Sequence, residues 1–536
     1  YILLKKICHH DPEEPLNVSV LLDEYFEAHE ASIVGVSAGV VVSDIFDVKN
    51  HPFIQTLEYL REKNKHLVLA GGVIATNEWK NLLRKNLVHF AFRGESENKV
   101  ISLIRHLEGE SGAHATSGIH FKYNGQYEET VGEKDVVNFN WDIISTYKDI
   151  CIEDYHNVGC LSPFSRMIGT EKTYTTLQLN RGCRAHCTFC GVTPFMGLGV
   201  RQYPVDAVIN ELIYLVRERG VQHFEWLDDD LLENRSAIVE VMKRIIKLKL
   251  GVTWAGNNGM IATSLDEELL QLMVESGCVG FRIGIESGNE EMLKRIKKPA
   301  SLKTLAIASQ MLAKFPDLFV VGCYIIGFKN ETYGQIIDTF KLGLSMNLSW
   351  SGWSVCQVLR DFNVDNEFET DEYDTILPFV PSKENADGTI KTDRQRQHYP
   401  EVLKLPLQEV PDREQLKELW FAFNLISNYI LNTNLKPGGR EGLFINWAVA
   451  LQLGHPGNPV ISLFLFLAYK IVGDDILAKK QFASTEAILR NSDYWRQRFD
   501  QYELNTLLLF PESESKFVTN QLRDFQEKYE SVVESL

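Results

Sequence analysis

Between residues 171 and 370 the chain repeats one pattern six times. The segments "YTTLQL" (174–179), "HFEWLDD" (223–229), "GVTWAGN" (251–257), "VGFRIGIES" (279–287), "FVVGCYIIG" (319–327) and "WSGWSVCQV" (350–358) have the composition of buried strands. Helical spacing falls between them. Val205, Val208, Ile209, Leu212, Ile213 and Val216 keep a helical period, and Gly220 lies just beyond as a stop. Ser264 and Glu267 have the spacing of a capping box ahead of "LLQLM". Strands that alternate with helices lie parallel, because a crossover helix brings the chain back to start the next strand in the same direction. Six such units in series specify an incomplete eight-fold barrel, a partial (β/α)6 barrel of the TIM type. Functional groups of such barrels gather at the C-terminal ends of the strands.

Residues 1–110 repeat the alternation on a smaller scale. "ASIVGVSAG" (31–39), "HLVLAGG" (66–72) and "VHFAFRGES" (88–96) read as strands, with helices near 52–63, 77–86 and 97–107. This pattern specifies a Rossmann-like parallel sheet, whose ligands bind at the carboxyl ends of the strands. Those ends are Ser37-Ala38-Gly39, Gly71-Gly72 and Arg93-Gly94-Glu95, and their small residues let a bulky ligand approach the backbone. Residues 111–170 are polar and read as a connector. Residues 371–536 read as a mainly helical C-terminal domain, with helices at 416–432 and 441–453 broken by "KPGGR" and "GHPGNP". Asn424, Asn428 and Asn432 make a stripe at helical spacing, expected to be a solvated face, with a contact face for an amide-rich cofactor as the alternative. The apolar run at 460–469 ends at Lys470, too short to cross a bilayer, and reads as a buried helix.

With 55 Lys and Arg against 72 Asp and Glu, the 536-residue chain carries a net charge of −17, which disfavours a phosphate backbone as partner. No nucleic acid is therefore expected. No signal peptide or transmembrane segment shows, and a cytoplasmic location is the expectation. The first residue is Tyr, not Met.

Nine cysteines are few for this length and form no secreted disulfide framework. Cys8, Cys151, Cys160, Cys278, Cys323 and Cys356 are scattered, and Cys151 and Cys160 read as packing or surface residues. Three are not scattered: Cys183, Cys187 and Cys190 lie in "LNRGCRAHCTFCGV", directly after the first barrel strand. A disulfide uses two thiols and a structural zinc site usually four ligands. His186 could complete a zinc set by count, but its place beside Cys187 would strain a shared site. A four-iron cluster normally takes four thiolates. With three, one iron keeps a position open for another ligand.

Cys-x3-Cys-x2-Cys with Phe189 before the last cysteine resembles the signature of the radical S-adenosylmethionine (SAM) enzymes. "FEWLDDDLLEN", "GFRIGIESGNEE" and "GCYIIGFKNET" resemble that family's later strand segments in order, except that Lys329 stands where a proline is common. The resemblance implies a [4Fe-4S] cluster on Cys183, Cys187 and Cys190, with SAM on its open iron. It implies SAM contacts from Phe189, Asp228, Asp229, Gly284, Glu286, Ser287 and Gly327: Asp228 or Asp229 near the amino group, Glu286 and Ser287 near ribose or carboxylate, and the backbone at Phe189 and Gly327 near adenine. Asp230 and Glu290 read as helix caps. One electron would cleave SAM to a 5′-deoxyadenosyl radical that takes a hydrogen atom from the substrate.

The 31–107 region placed ahead of such a barrel resembles the cobalamin-binding branch of the family, on "ASIVGVSAG", "LAGGVIAT" and "FAFRGESE". That implies cobalamin near Ser37, Gly71, Gly72, Gly94 and Glu95. No Asp-x-His-x-x-Gly run is present, so no histidine of that motif can ligate cobalt. "YILLKKI" (1–7) resembles the second strand of such a domain, so its first strand and helix are expected to be absent. The activity implied is methylation of an unactivated carbon on a small molecule, lipid or peptide, with a flavodoxin- or ferredoxin-type electron donor. Cobalamin-dependent rearrangement, cyclisation or oxidation is the alternative. A tRNA methylthiotransferase is disfavoured, because such enzymes carry three more cysteines in the N-terminal region, which here holds only Cys8. The non-catalytic alternative is an iron–sulfur redox or sensing protein. Trp226, Trp254, Tyr324, Trp350 and Trp353 are expected mostly to fill the barrel interior, with about one in five meeting substrate.

Overall fold

The computed structural model describes residues 17–38, 51–110, 117–131, 139, 143–148, 150–153, 162–357, 402–509 and 512–536. Cys8, Gly39, Cys160 and the segment 1–7 lie outside these residues. The chain divides into two compact units, one drawn from 1–159, 180–204 and 357–375, the other from 160–179, 205–356 and 376–536.

The first unit contains a five-stranded sheet in the order β1 (Ile33–Ser37), β2 (Leu67–Gly71), β3 (Phe90–Phe92), β4 (Ile119–Tyr123), β5 (Gln126–Glu129). The first three strands are parallel, and β4 and β5 are an antiparallel hairpin added at the edge. Val68 and Ala70 pack into one core cluster and Leu69, between them, into another. Alternate side chains on β2 point to opposite faces, so both faces of the sheet are covered, as a parallel sheet requires. The helices Pro52–Lys63 and Glu97–Leu107 have the expected bounds, while the intervening one starts earlier than expected, at Gly72. The stretch expected to be a plain connector therefore contributes a hairpin to the first sheet, because Phe121 and Ile119 align with Phe90 and Phe92 of β3.

In the second unit, β6 (Tyr174–Leu177), β9 (His223–Trp226), β10 (Thr253–Met260), β11 (Cys278–Glu286), β12 (Phe319–Ile326) and β13 (Trp350–Val355) form one parallel sheet in chain order. This is the expected partial barrel. The helix Val205–Arg219 stops at Gly220, which has φ +65°. The expected capping box is displaced: Ser264 lies in a short 3-10 turn, and Asp266 caps Glu267–Glu275 by accepting the Leu269 N–H at 2.8 Å. An aspartate one residue before the helix reaches the free N–H groups of the first turn better than a serine three residues away.

Four of the five barrel aromatics lie on the helix side of the sheet, and Trp350 lies on the other face with its register partner Val321. Trp254 Nε1 donates to Ser276 Oγ at 3.0 Å and Trp353 Nε1 to Ser427 Oγ at 2.9 Å, both among the helices. Tyr324 stacks on Trp353, Trp350 lies edge-on to Tyr429, and Trp226 lies edge-on to Trp254. The period of two along a strand sends Trp226, Trp254, Tyr324 and Trp353 to the helix layer, while Trp350, three residues before Trp353, faces the other way.

The asparagine stripe is not the expected solvated face, since Asn428 and Asn432 are buried. It follows the helix Arg413–Leu425, whose continuation Ile426–Ile430 widens into a π turn. Asn428 accepts the Ser351 N–H at 2.6 Å and donates to the Ser351 carbonyl at 2.7 Å. Asn432 donates to the Ser349 carbonyl at 3.1 Å, and Asn424 to the Trp420 carbonyl at 2.8 Å. Among the described residues, strand β13 is the outer edge of an open sheet, with backbone groups that no further strand takes up. Side-chain amides offer one donor and one acceptor, as a peptide group does, so Asn428 substitutes for a neighbouring strand. The expected buried helix is present as Pro459–Val472, buried from Pro459 through Lys470. Among the described residues no helix is long and apolar enough to cross a membrane.

Candidate cofactor site

The cysteine loop starts where β6 ends. Asp228, just beyond β9, is buried and takes the Leu179 N–H on both carboxylate oxygens at 3.1 Å. That bond ties the end of β6 to its neighbour and fixes the point from which the loop leaves. The next residues, β7 (Asn180–Arg181), pair antiparallel with β8 (Arg201–Gln202), so the loop is closed at its base. Cys183, Cys187 and Cys190 form no disulfide and are partly exposed, and the Cys190 N–H donates to the Cys187 carbonyl at 3.2 Å. Among the described residues no three His, Cys, Asp or Glu side chains converge as the ligands of one ion would. Three separate thiols on one short loop fit a cluster, in which each cysteine ligates a different iron.

The loop belongs to the same compact unit as the first sheet. Arg181 meets Glu95 at 2.8 Å and Glu97 at 2.6 Å, and Arg201 meets Glu95 at 2.5 Å. The side chains of Arg181 and Glu95 are 15% and 10% exposed, so this network is largely shielded from water. Paired charges removed from water are expensive to separate. Hydrogen bonds from Arg181 hold the Glu97 carboxyl below its usual range, against the upward push of burial. Gly94 has φ +70°, donates its N–H to Thr76 Oγ1 at 2.8 Å, and lies where a Cβ would come within 2.9 Å of the Phe195 carbonyl oxygen. A side chain there is excluded both by conformation and by space. Gly72 is similar: φ is +80°, and a Cβ would meet the Ala38 carbonyl and Ser37 Oγ at 2.7 Å.

Of the five residues expected to contact cobalamin, Ser37 and Gly72 are thus neighbours, while Gly71 lies next to Ser96. Gly94 and Glu95 approach the cysteine loop. Glu95 is engaged by two arginines.

In the barrel, β11 ends in Glu286, which has φ +68° and an ion pair with Lys298 at 2.9 Å. A Cβ on Gly284 would collide with Lys298 Nζ, so the bare backbone there gives the lysine room. Ser287 is fully buried, but its hydroxyl lies 3.2 Å from Thr339 Oγ1 and accepts the Asn289 N–H, so it faces the helix Tyr333–Ser345. The Gly327 and Phe328 N–H groups donate to Glu331 Oε2 at 2.6 and 3.0 Å. Burial pushes the Glu331 carboxyl up to about 7, against the pull of those two bonds. Asp229 is half-buried beside Asp228, and Phe189 is partly exposed within the cysteine loop. Glu290 accepts the Leu302 N–H at 2.9 Å, capping the helix after its own, and Asn234, not Asp230, caps the helix Arg235–Leu248. Arg181, Arg201 and Lys298 were not among the expected site residues. The two arginines flanking the cysteines and the acidic "GESE" run were the sequence signal for the first two.

The radical SAM superfamily model matches residues 177–343. The anaerobic magnesium-protoporphyrin IX monomethyl ester cyclase of Synechocystis sp. is 28% identical over 54% of this chain and 56% of its own length. The uncharacterized methyltransferase PH0819 of Pyrococcus horikoshii is 23% identical over 64% of this chain and 75% of its own. The chain thus spans little more than half of the first relative. In fold, it resembles the cobalamin-dependent SAM radical enzyme OxsB with aqua-cobalamin bound, with a TM-score of 0.50, 12% identity, and coverage of 97% of this chain and 74% of that one. Residues 177–343, which hold the three-cysteine motif, thus form a radical SAM domain.

Proposed function

We propose that this chain is a cobalamin-dependent radical SAM enzyme that methylates an unactivated carbon of a small molecule, lipid or peptide. The observation that carries the reading is the Arg181–Glu95 contact, which joins the base of the three-cysteine loop to the glycine-rich carboxyl end of the first sheet. That sheet end is where Rossmann-like folds bind their ligands. A cluster and a corrinoid on these elements would be neighbours, as a reaction that uses both requires. The methyltransferase PH0819 and the fold of OxsB support the same reading.

When bound, the cluster supplies the electron that cleaves SAM to a 5′-deoxyadenosyl radical, and methylated cobalamin supplies a methyl group that a carbon radical can accept. The chain does the positioning. Cys183, Cys187 and Cys190 would hold three irons and leave the fourth for the amino and carboxylate groups of SAM. Asp228 fixes the departure of the loop through Leu179. Asp229, Glu286 and the backbone at Phe189, Gly284 and Gly327 are the groups assigned to SAM, and Ser37, Gly71, Gly72 and Gly94 those assigned to cobalamin. Ser287 and Glu95 act through their neighbours in this reading, since both have protein partners. A flavodoxin- or ferredoxin-type protein would deliver the electron.

The relationship to the Synechocystis cyclase favours a second reading, in which the same radical is used for cyclisation or oxidation without methyl transfer. Anaerobic reconstitution with iron, sulfide and hydroxocobalamin tests both. The protein should show the visible spectrum of bound corrin and release 5′-deoxyadenosine on addition of SAM and reductant. Release without corrin binding eliminates methyl transfer by this route, and no release from cluster-loaded protein eliminates the radical reading.

A further inference from the structure

The inner face of the barrel contains a cation that the SAM and cobalamin assignments leave unused. On β11, Phe281, Ile283 and Ile285 are fully buried against the helices. Arg282 and Gly284 occupy the opposite face, toward the interior. On β12, Cys323 shares that face, since its register partner is Gly284 and its neighbour Tyr324 stacks on Trp353 in the helix layer. The floor below them is closed by aromatics. Phe164 lies edge-on to Phe319 and Trp447, and a Cβ on Gly280 would come within 2.8 Å of its ring.

The Arg282 guanidinium lies 5.8 Å from the Phe164 ring centroid, and its charge acts on the Cys323 thiol nearby. Among the described residues no carboxylate oxygen is within 4.0 Å of it. The acid nearby, Glu286, which also acts on Cys323, is paired with Lys298 at 2.9 Å. A partly buried guanidinium without a counter-charge is costly unless an anion arrives to meet it. Its planar fork suits carboxylate or phosphate oxygens in bidentate geometry.

We propose that the barrel interior holds an oxyanion subsite in which Arg282 anchors a carboxylate, phosphate or phosphonate of the substrate beside Cys323. This rests on the radical-enzyme reading and adds a substrate class to it: a small molecule with an acidic group. The anchor would hold one end of the substrate at the floor and leave the other toward the strand ends of the barrel. Arg282 is a specificity residue here. Lys298, already paired, is not required for it.

Charge-directed alkylation tests the site without knowledge of the substrate. The full-length, cluster-loaded protein is treated anaerobically with iodoacetate or iodoacetamide, and Cys323 labelling is followed by peptide mass spectrometry. Burial raises the Cys323 thiol, but both reagents meet the same thiolate, so their ratio cancels that effect. Iodoacetate should label Cys323 faster than iodoacetamide, with saturation, and inorganic phosphate should slow it. Arg282→Gln should weaken iodoacetate binding about tenfold, equivalent to ~1.4 kcal/mol, and restore the usual preference for iodoacetamide. SAM affinity, measured by equilibrium dialysis, should be the same in both proteins. Iodoacetamide preference in the parent protein, no labelling by either reagent, or a loss of SAM affinity in the variant overturns the proposal. None of these results bears on 5′-deoxyadenosine release, which tests the radical reading separately.

Discussion

The carboxyl end of the first sheet finishes in residues without side chains, and that of the barrel finishes in carboxylates. Gly72 and Gly94 lie where a Cβ would meet carbonyl oxygens, so backbone and ligand can come close there. Asp228, Glu286 and Glu331 each bond to protein: to the Leu179 N–H, to Lys298, and to two N–H groups after β12. Bare backbone makes room, whereas a buried acid bonded to amides fixes the exit of a strand. The cysteine loop depends on both devices. Asp228 sets where it leaves β6, and the arginines at its base clamp it to Glu95 and Glu97.

The sharpest separation of loop from scaffold is Cys187→Ala. It should lose the iron–sulfur absorption and all 5′-deoxyadenosine release, while circular dichroism and thermal unfolding change little, because the thiol is partly exposed. If the barrel unfolds instead, the loop is part of the core.

Arg181→Met tests the clamp. It leaves two acids facing one remaining arginine, and breaking a shielded ion pair costs about 3–5 kcal/mol. The expected result is lower stability of the first unit and faster loss of iron to chelators. Unchanged iron retention would mean that the clamp does not position the loop.

Asn428→Ala tests the barrel's open edge. It strands the N–H and carbonyl of Ser351, at about 1–3 kcal/mol for each unsatisfied buried group. Urea unfolding should show a midpoint decrease of that order, without loss of 5′-deoxyadenosine release from the protein that remains folded. Asn424→Ala should cost less, since it bonds within its own helix.

A pH dependence is expected at Glu331, where the folded carboxyl is raised to about 7 from an ordinary 4.5. The unfolded chain then releases its proton first. Stability is therefore full below about pH 4.5, falls as pH rises toward 7, and is flat above. Glu331→Gln should remove that slope in unfolding measured across the same range. A slope that survives belongs to another group.

Much of the architecture was legible because strand and helix periods are local. All six barrel strands and the helices Pro52–Lys63 and Glu97–Leu107 lie where the apolar spacing puts them. The cysteine loop was legible because a three-thiolate cluster site occupies one short segment. The asparagine stripe was misread because a helix face polar in sequence can still be buried when it faces unpaired backbone. Ser287 sits at the expected strand end, yet its hydroxyl goes to Thr339, since a side chain's direction depends on what packs beside it.

The sequence by itself determined the alternation of elements, the parallel sheets that follow from it, and the three thiols with their spacing. These depend on neighbours within a few residues. Tertiary structure decided that Arg181 meets Glu95, 86 positions away, that Asn428 completes an edge 77 positions away, and that Arg282 lies over Phe164. Charges and amides act at hydrogen-bond range, and only the folded chain sets which of them come that near.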